Sequence, residues 1–174
     1  MNVIEFTVYP ARERPHSLVM GVRIDDVDLR ALVAGVTAPL WARELDDDDL
    51  DSDLERERFL LDAHDGLPAP DVAWPARHFL GEVVHPSYCG YEPGELALLG
   101  CGCGLWGCWP LLARITLDPD TVTWTGFRQP HRPRWGTLPL GPFTFDVTAY
   151  LQRLVSPTVL AADPLDDAPP EPGR

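Results

Sequence analysis

The sequence predicts a single α+β domain with an antiparallel sheet, a few short helices and one loop rich in cysteine and glycine. Short segments of β-branched and aromatic residues are separated by turn residues, which is typical of antiparallel strands. Two segments with apolar residues at helical spacing each follow an aspartate that can cap a helix. The 174 residues suffice for one compact domain, and a hydrophobic content of 45% suffices for its core.

The first predicted unit consists of two strands and a helix. Residues 3–9 alternate between apolar and polar side chains, and residues 17–24 form a second apolar segment. Asp25 and Asp26 then offer an N-cap for a short helix that ends near Gly35.

The second half of the chain contains further strands and a final helix. A buried strand is predicted at 95–100, and an Asp-Pro-Asp turn joins two hairpin arms at 111–117 and 121–127. Residues 143–145 add a short strand, after which Asp146 caps the last helix.

The net charge of −13 is concentrated in two segments. Residues 44–57 carry a net charge of −8 and residues 162–174 carry −3, so the remaining chain is nearly neutral. The acidic loop at 44–57 either forms a helix around Arg58 or stays mobile, because like charges repel. The predicted domain therefore spans 1–156, and a disordered tail rich in proline and acids spans 157–174. Residues 44–57 and 160–174 are expected to be dispensable for folding.

No segment is apolar for long enough to span a membrane, and the N-terminus lacks the pattern of a signal peptide. We therefore expect a cytoplasmic protein without a membrane partner. The acidic balance opposes long-range attraction of nucleic acid, so a nucleic-acid partner is not expected either.

Three of the four cysteines, Cys101, Cys103 and Cys108, lie within eight residues and are separated by glycines. Such a permissive backbone lets several thiolates converge on one metal ion. We predict a structural zinc site whose fourth ligand is His131, because the hairpin after the cysteines leads back towards the loop. The alternative fourth ligands are Cys89, His85 and His78.

Two other interpretations of the cysteines stay open. They could be reduced thiols that only pack beside a turn, or one could act as a nucleophile with His131 as its base. The chain has no recognisable nucleotide-binding or hydrolase motif, so no catalytic residue is assigned and a binding domain is favoured over an enzyme. His64 is expected to be solvated.

A basic and aromatic segment follows the hairpin and includes Arg128, Arg132, Arg134 and Trp135. Guanidinium groups bind carboxylates and phosphates, and the intervening prolines hold the chain extended. We predict that these four residues form a contact surface for a protein partner. The alternative is that the arginines pair with the protein's own acids, such as the acidic loop.

Together these observations predict a zinc-stabilised binding or accessory domain that presents the basic and aromatic segment to a partner. One alternative is a thiol-based redox or zinc hydrolytic enzyme. Another is an immunity-like or regulatory interaction protein whose acidic loop mimics an anionic surface. Zinc coordination separates the first two, because four protein ligands close a structural site and three leave a position for water.

Four segments of the chain resemble those of a set of uncharacterised bacterial proteins, mainly actinobacterial. The segments are 75–82, 98–116, 121–135 and 140–154. The strings CGCGLWGCWP and FRQPHR are their distinctive parts, and VDLRALV at 27–33 belongs to the same resemblance. The resemblance implies a shared fold and brings no established activity with it. The acidic segment at 44–57 departs from the pattern.

Overall fold

The structure is a computed structural model that describes residues 1–45 and 52–166. Within these ranges, ten strands form two five-stranded sheets. The first sheet contains β1 (Ile4–Pro10), β2 (Leu18–Ile24), β3 (Val27–Asp28), β5 (Leu67–Pro68) and β10 (Thr158–Val159). The second contains β4 (His64–Asp65), β6 (Glu95–Cys101), β7 (Leu111–Leu117), β8 (Thr121–Arg128) and β9 (Phe143–Asp146), in the order β4-β6-β7-β8-β9.

The described helices are short and lie between or beside the strands. They are α1 (Leu29–Trp41), α2 (Asp53–Asp62), α3 (Ala69–Val72) and α4 (Val147–Val155). All strand pairs of the second sheet are antiparallel, and so are those of the first sheet apart from β1 with β10. The predicted α+β class is therefore confirmed.

The first unit has the two predicted strands, but its helix starts and ends later than the sequence indicated. Asp25 and Asp26 have φ values of 50° and 67° and form the tight turn between β2 and β3, a geometry that aspartate tolerates. Asp28 is the cap of α1, and its carboxylate accepts a hydrogen bond from the Arg30 amide at 2.9 Å. The predicted end near Gly35 is wrong, because apolar residues that pack on the core continue at helical spacing beyond it.

The hairpin and the last helix agree with the sequence prediction. The Asp118 amide donates to the Thr121 carbonyl at 2.8 Å and closes the turn between β7 and β8. The Asp146 carboxylate accepts from the Ala149 amide at 2.8 Å and caps α4.

A cluster of buried aromatic side chains joins the two sheets and α4. Its members are Phe6, Phe79, Trp124, Phe145 and Tyr150. The Trp124 indole donates to the Tyr150 hydroxyl at 3.2 Å, and that hydroxyl donates to the Phe79 carbonyl at 2.5 Å. Both polar tips are thus satisfied inside the core, which allows these large rings to be buried without an unpaired donor.

Residues 157–166 belong to the folded domain, so the predicted disordered tail is wrong over this range. β10 pairs in parallel with β1, with Thr158 opposite Thr7. The Leu160 amide then donates to the Val8 carbonyl at 2.8 Å. The rest of the predicted tail, residues 167–174, lies outside the described residues.

Arg30 is a buried cation held by carboxylates from distant parts of the chain. It is 1% exposed, and it donates to Asp28 at 2.8 Å and to both carboxylate oxygens of Asp163 at 2.8 and 2.9 Å. Arg12 also donates to Asp163, at 3.2 Å. Because a buried guanidinium is costly without counter-charges, these contacts fasten the C-terminal segment to α1.

The acidic loop predicted at 44–57 is helical where the structure describes its second half. α2 follows Ser52, whose hydroxyl accepts from the Glu55 amide at 3.2 Å. Arg58 pairs with Asp62 at 2.8 Å within α2. The helical alternative is therefore confirmed from Asp53 onwards, and residues 46–51 lie outside the described part of the chain.

Candidate metal centre

Three cysteine sulfurs converge in the loop between β6 and β7. The Sγ atoms of Cys101, Cys103 and Cys108 all lie within 4.8 Å of one another. The Cys103 and Cys108 sulfurs lie 3.0 Å apart. The predicted convergence of these three side chains is therefore present, and the cluster could hold a metal ion.

Two glycines allow the loop to adopt this shape. A Cβ atom on Gly102 would lie 1.8 Å from the Asp62 carbonyl oxygen, so no other residue fits there without a shift of the backbone. The Gly102 amide also donates to the Ala63 carbonyl at 3.0 Å, which fixes the loop to the end of α2. Gly104 has a φ of +84°, in the region that favours glycine.

Backbone amides point at two of the sulfurs. The Cys103 amide donates to Cys101 Sγ and the Leu105 amide donates to Cys103 Sγ, both at 3.4 Å. Such bonds stabilise the thiolate form, which is the form that binds metal. They also fix the positions of the ligand atoms, as the outer contacts of metal sites do.

The three thiols differ in acidity when no metal is present. Hydrogen bonds from Cys108, then from Cys101 and the Leu105 amide, lower the pKa of Cys103. Burial raises the pKa of Cys101 to about 12, and burial also raises the pKa of Cys108. Cys103 is therefore the first of the three to ionise, and its two neighbours donate to it.

The predicted fourth ligand, His131, lies beside the loop but outside the group of converging sulfurs. Its Nε2 atom is 3.4 Å from the Gly107 carbonyl, and its ring stacks on Trp109 with a centroid distance of 6.2 Å. Coordination by His131 stays a prediction, and it would require the imidazole to leave that position.

The alternative fourth ligands are also held elsewhere. His78 is buried and its Nε2 lies 2.7 Å from the Ala97 carbonyl. His85 accepts from the Ser87 amide at 3.2 Å, and the Cys89 thiol lies 4.0 Å from the His85 carbonyl. Among the residues that the structure describes, the set of His, Cys, Asp and Glu side chains gathered around one point consists of the three cysteines.

An aromatic cleft opens beside the three sulfurs. It has a volume of about 550 Å³, and the same cleft is lined by the three cysteines and by Trp41, Phe59, Asp62, Ala63 and Trp109. The ring centroid of Trp41 lies 5.2 Å from that of Phe59 and 5.5 Å from that of Trp109. We name the face formed by these three rings the aromatic wall. No local sequence pattern indicates this face, because its members come from α1, α2 and the cysteine loop.

Most of the predicted contact surface is engaged within the protein. Arg128 forms a two-bond ion pair with the buried Glu95, at 2.5 and 2.6 Å. Arg132 pairs with Glu44 at 2.8 Å, and the Trp135 indole donates to the same carboxylate at 2.7 Å. Arg128 and Arg132 are half-buried with their charges neutralised by the chain's own acids, and Trp135 is half-buried as well. A contact surface formed by these residues stays a prediction.

Self-pairing with the start of the acidic loop is the alternative that these contacts favour. Arg132 also lies over the rings of Trp41 and Trp109, with its guanidinium carbon 5.2 and 5.0 Å from their centroids. The hydrogen bond from Arg132 lowers the pKa of Glu44. Arg134 is exposed, and within residues 1–45 and 52–166 it has no ion pair.

His64 is buried, contrary to the expectation that it is solvated. It lies directly opposite Cys101 in the pairing of β4 with β6 and is 4% exposed. Its Nε2 atom has no hydrogen-bond partner among the described residues. Burial lowers the pKa of His64 from near 6.5 to about 3, so the folded protein keeps this imidazole neutral.

We expect acid to destabilise the protein through His64. Below its ordinary pKa of 6.5 the unfolded chain takes up a proton that the folded chain refuses, so stability is lost as the pH falls towards 3. Between neutral pH and about pH 4.5 the loss should be about 2–3 kcal/mol, measured by urea unfolding. In His64→Gln the free energy of unfolding should depend less steeply on pH over this range. His16→Gln, at an exposed histidine, is the matched control and should leave it unchanged; an unaltered slope in His64→Gln contradicts the prediction.

Comparison of the chain with protein-family models, with curated proteins and with solved structures gives no match. The resemblance to the actinobacterial set therefore stays a prediction. In the described part of the chain, no helix combines the length and the apolar composition needed to cross a membrane.

Proposed function

We propose that the protein is a zinc-binding domain in which Cys101, Cys103 and Cys108 hold one Zn²⁺ as thiolates. The observation that carries this proposal is the convergence of three sulfurs within 4.8 Å. In a tetrahedral site with zinc–sulfur bonds of about 2.3 Å, sulfurs lie about 3.8 Å apart, so small side-chain rotations suffice for binding. Zinc is favoured over harder divalent ions because all three donors are soft thiolates.

The engaged arginines change the expected role of the domain. Arg128 and Arg132 already have carboxylate partners, so a partner that binds the basic segment would have to displace Glu95 and Glu44. The metal centre and the adjacent cleft therefore replace the basic segment as the proposed binding face. Arg134 is the arginine of that segment that is left for an external contact.

The test is a zinc titration of the metal-free, reduced protein against a chromophoric chelator. We expect one zinc per chain, and we expect Cys103→Ser to weaken binding about 100-fold or more, because loss of a ligand costs at least as much as loss of an outer contact. Cys89→Ser is the matched control, since Cys89 is exposed and lies outside the cluster. No zinc uptake by the unaltered protein, or equal losses in both variants, refutes the proposal.

A second candidate function is dithiol chemistry, and the 3.0 Å separation of Cys103 Sγ and Cys108 Sγ favours it. The Cys103 thiolate would attack a disulfide substrate and release one of its sulfurs as a thiol. The Cys108 thiolate would then attack the mixed disulfide, which frees the second substrate thiol and leaves a Cys103–Cys108 disulfide. The metal-free protein should release two thiols from each oxidised glutathione, whereas Cys108→Ser should release one and stop at the mixed disulfide on Cys103. This result would support the candidate, and zinc should inhibit the reaction.

A further inference from the structure

We propose that the fourth zinc position binds a small, uncharged heteroaromatic molecule through a ring nitrogen, with its ring lying against the aromatic wall. This inference rests on the zinc site proposed above. It assigns a ligand class to the cleft, which otherwise has three metal-ligating side chains and no described occupant of the fourth position.

The first argument is the place of the open coordination position. All three cysteines line the same cleft as the aromatic wall. A neighbouring cavity, lined by Gly104 and Trp106, contacts Cys101 but neither Cys103 nor Cys108. A metal held by the three sulfurs therefore has its free position on the side of the cleft, where zinc accepts an additional ligand.

The second argument is charge. Zn²⁺ with three thiolates carries a net charge of −1, and an anionic ligand would add a second negative charge in a mainly apolar cleft. Asp62 brings no uncompensated charge of its own, because it forms ion pairs with Arg12 and Arg58. A neutral donor completes the coordination without further charge.

The third argument excludes a cationic ligand held by the rings. Arg132 already lies over Trp41 and Trp109, so the chain itself supplies the cation that these faces attract. The Phe59 ring, 37% exposed, remains available at the edge of the cleft. The aromatic wall can therefore still bury the apolar ring surface of a ligand. The cleft volume of about 550 Å³ accommodates a molecule of one or two rings.

The test uses the Co²⁺-loaded protein, whose sulfur-to-cobalt charge-transfer and visible bands report the ligands. At about pH 8, above the pKa of an imidazole, 4-phenylimidazole, imidazole and benzoate are titrated in turn. We expect 4-phenylimidazole to shift the visible bands and to bind about tenfold more tightly than imidazole. Benzoate should not bind. Equal affinities of the two imidazoles, or tight binding of benzoate, overturns the inference.

Three variants test whether the aromatic wall contacts the ligand and whether His131 occupies the fourth metal position. Phe59→Ala should remove most of the preference for 4-phenylimidazole, whereas Leu54→Ala, at an exposed position on the same helix, should not. His131→Ala should leave the spectrum of the ligand-free cobalt protein unchanged, and a changed spectrum means that His131 closes the site and no ligand position exists. Complete absence of the charge-transfer band in the unaltered protein refutes the metal site itself and is thus distinct from failure of the ligand assignment.

Discussion

Removal of residues 157–174 is expected to destabilise the fold by about 3–5 kcal/mol or more. The reason is that Arg30 is buried and would lose Asp163, and the removal of one partner from a buried ion pair costs about this much. β1 would also lose its pairing with β10. Urea unfolding at neutral pH measures the effect.

Two matched variants make this expectation specific. A chain that ends after Asp166 keeps every described contact of Asp163 and should be as stable as the full chain. Asp163→Asn keeps β10 but removes the charge that pairs with Arg30. This single substitution should cause most of the decrease in the free energy of unfolding that removal of 157–174 causes. Burial alone raises the pKa of Asp163, but hydrogen bonds from Arg30 outweigh it and hold the pKa below its ordinary value. The ionised Asp163 therefore makes its full contribution to the free energy of unfolding at neutral pH, and this contribution is lost only in strong acid. Full stability of the chain that lacks 157–174 contradicts the prediction.

Saturation with zinc is expected to raise the free energy of unfolding by about 4 kcal/mol when free zinc exceeds its dissociation constant about a thousandfold. The metal would link the end of β6 to the start of β7 through three side chains, and the unfolded chain does not hold these sulfurs together. Thermal unfolding with and without a chelator measures the shift.

The cysteine variants give the controls for this shift. Cys103→Ser should abolish the zinc-dependent increase, and Cys89→Ser should retain it. His131→Ala should retain it as well if three sulfurs suffice to hold the metal. An equal increase in Cys103→Ser shows that zinc stabilises the protein from another place.

Local patterns in the sequence predicted the elements whose stabilising contacts are local. The β7–β8 turn and the Asp146 cap depend on residues within three positions of one another, and both are present. The convergence of the cysteine sulfurs was predictable for the same reason, because three thiols and their glycines occupy one short loop.

Contacts between distant residues explain what the sequence could not indicate. Proline and acid content suggested disorder after Ser156, yet Asp163 is buried because Arg30 needs a counter-charge inside the fold. Arg128 was assigned to a contact surface because its partner Glu95 lies on another strand. Trp41 and Phe59 join the cleft only through the packing of α1 on α2, which no spacing within either helix reveals.

The ion pair between Arg30 and Asp163 has a consequence for synthesis on the ribosome. The two residues are 133 positions apart. At about 5–20 residues per second, Asp163 is made roughly 7–27 s after Arg30. During that interval Arg30 has Asp28 but lacks its second doubly hydrogen-bonded carboxylate, Asp163. The edge of β1 also lacks β10 and is open to pairing with neighbouring nascent chains. Translation of β10 and Asp163, rather than emergence of the N-terminal strands, is therefore the event that completes the first sheet.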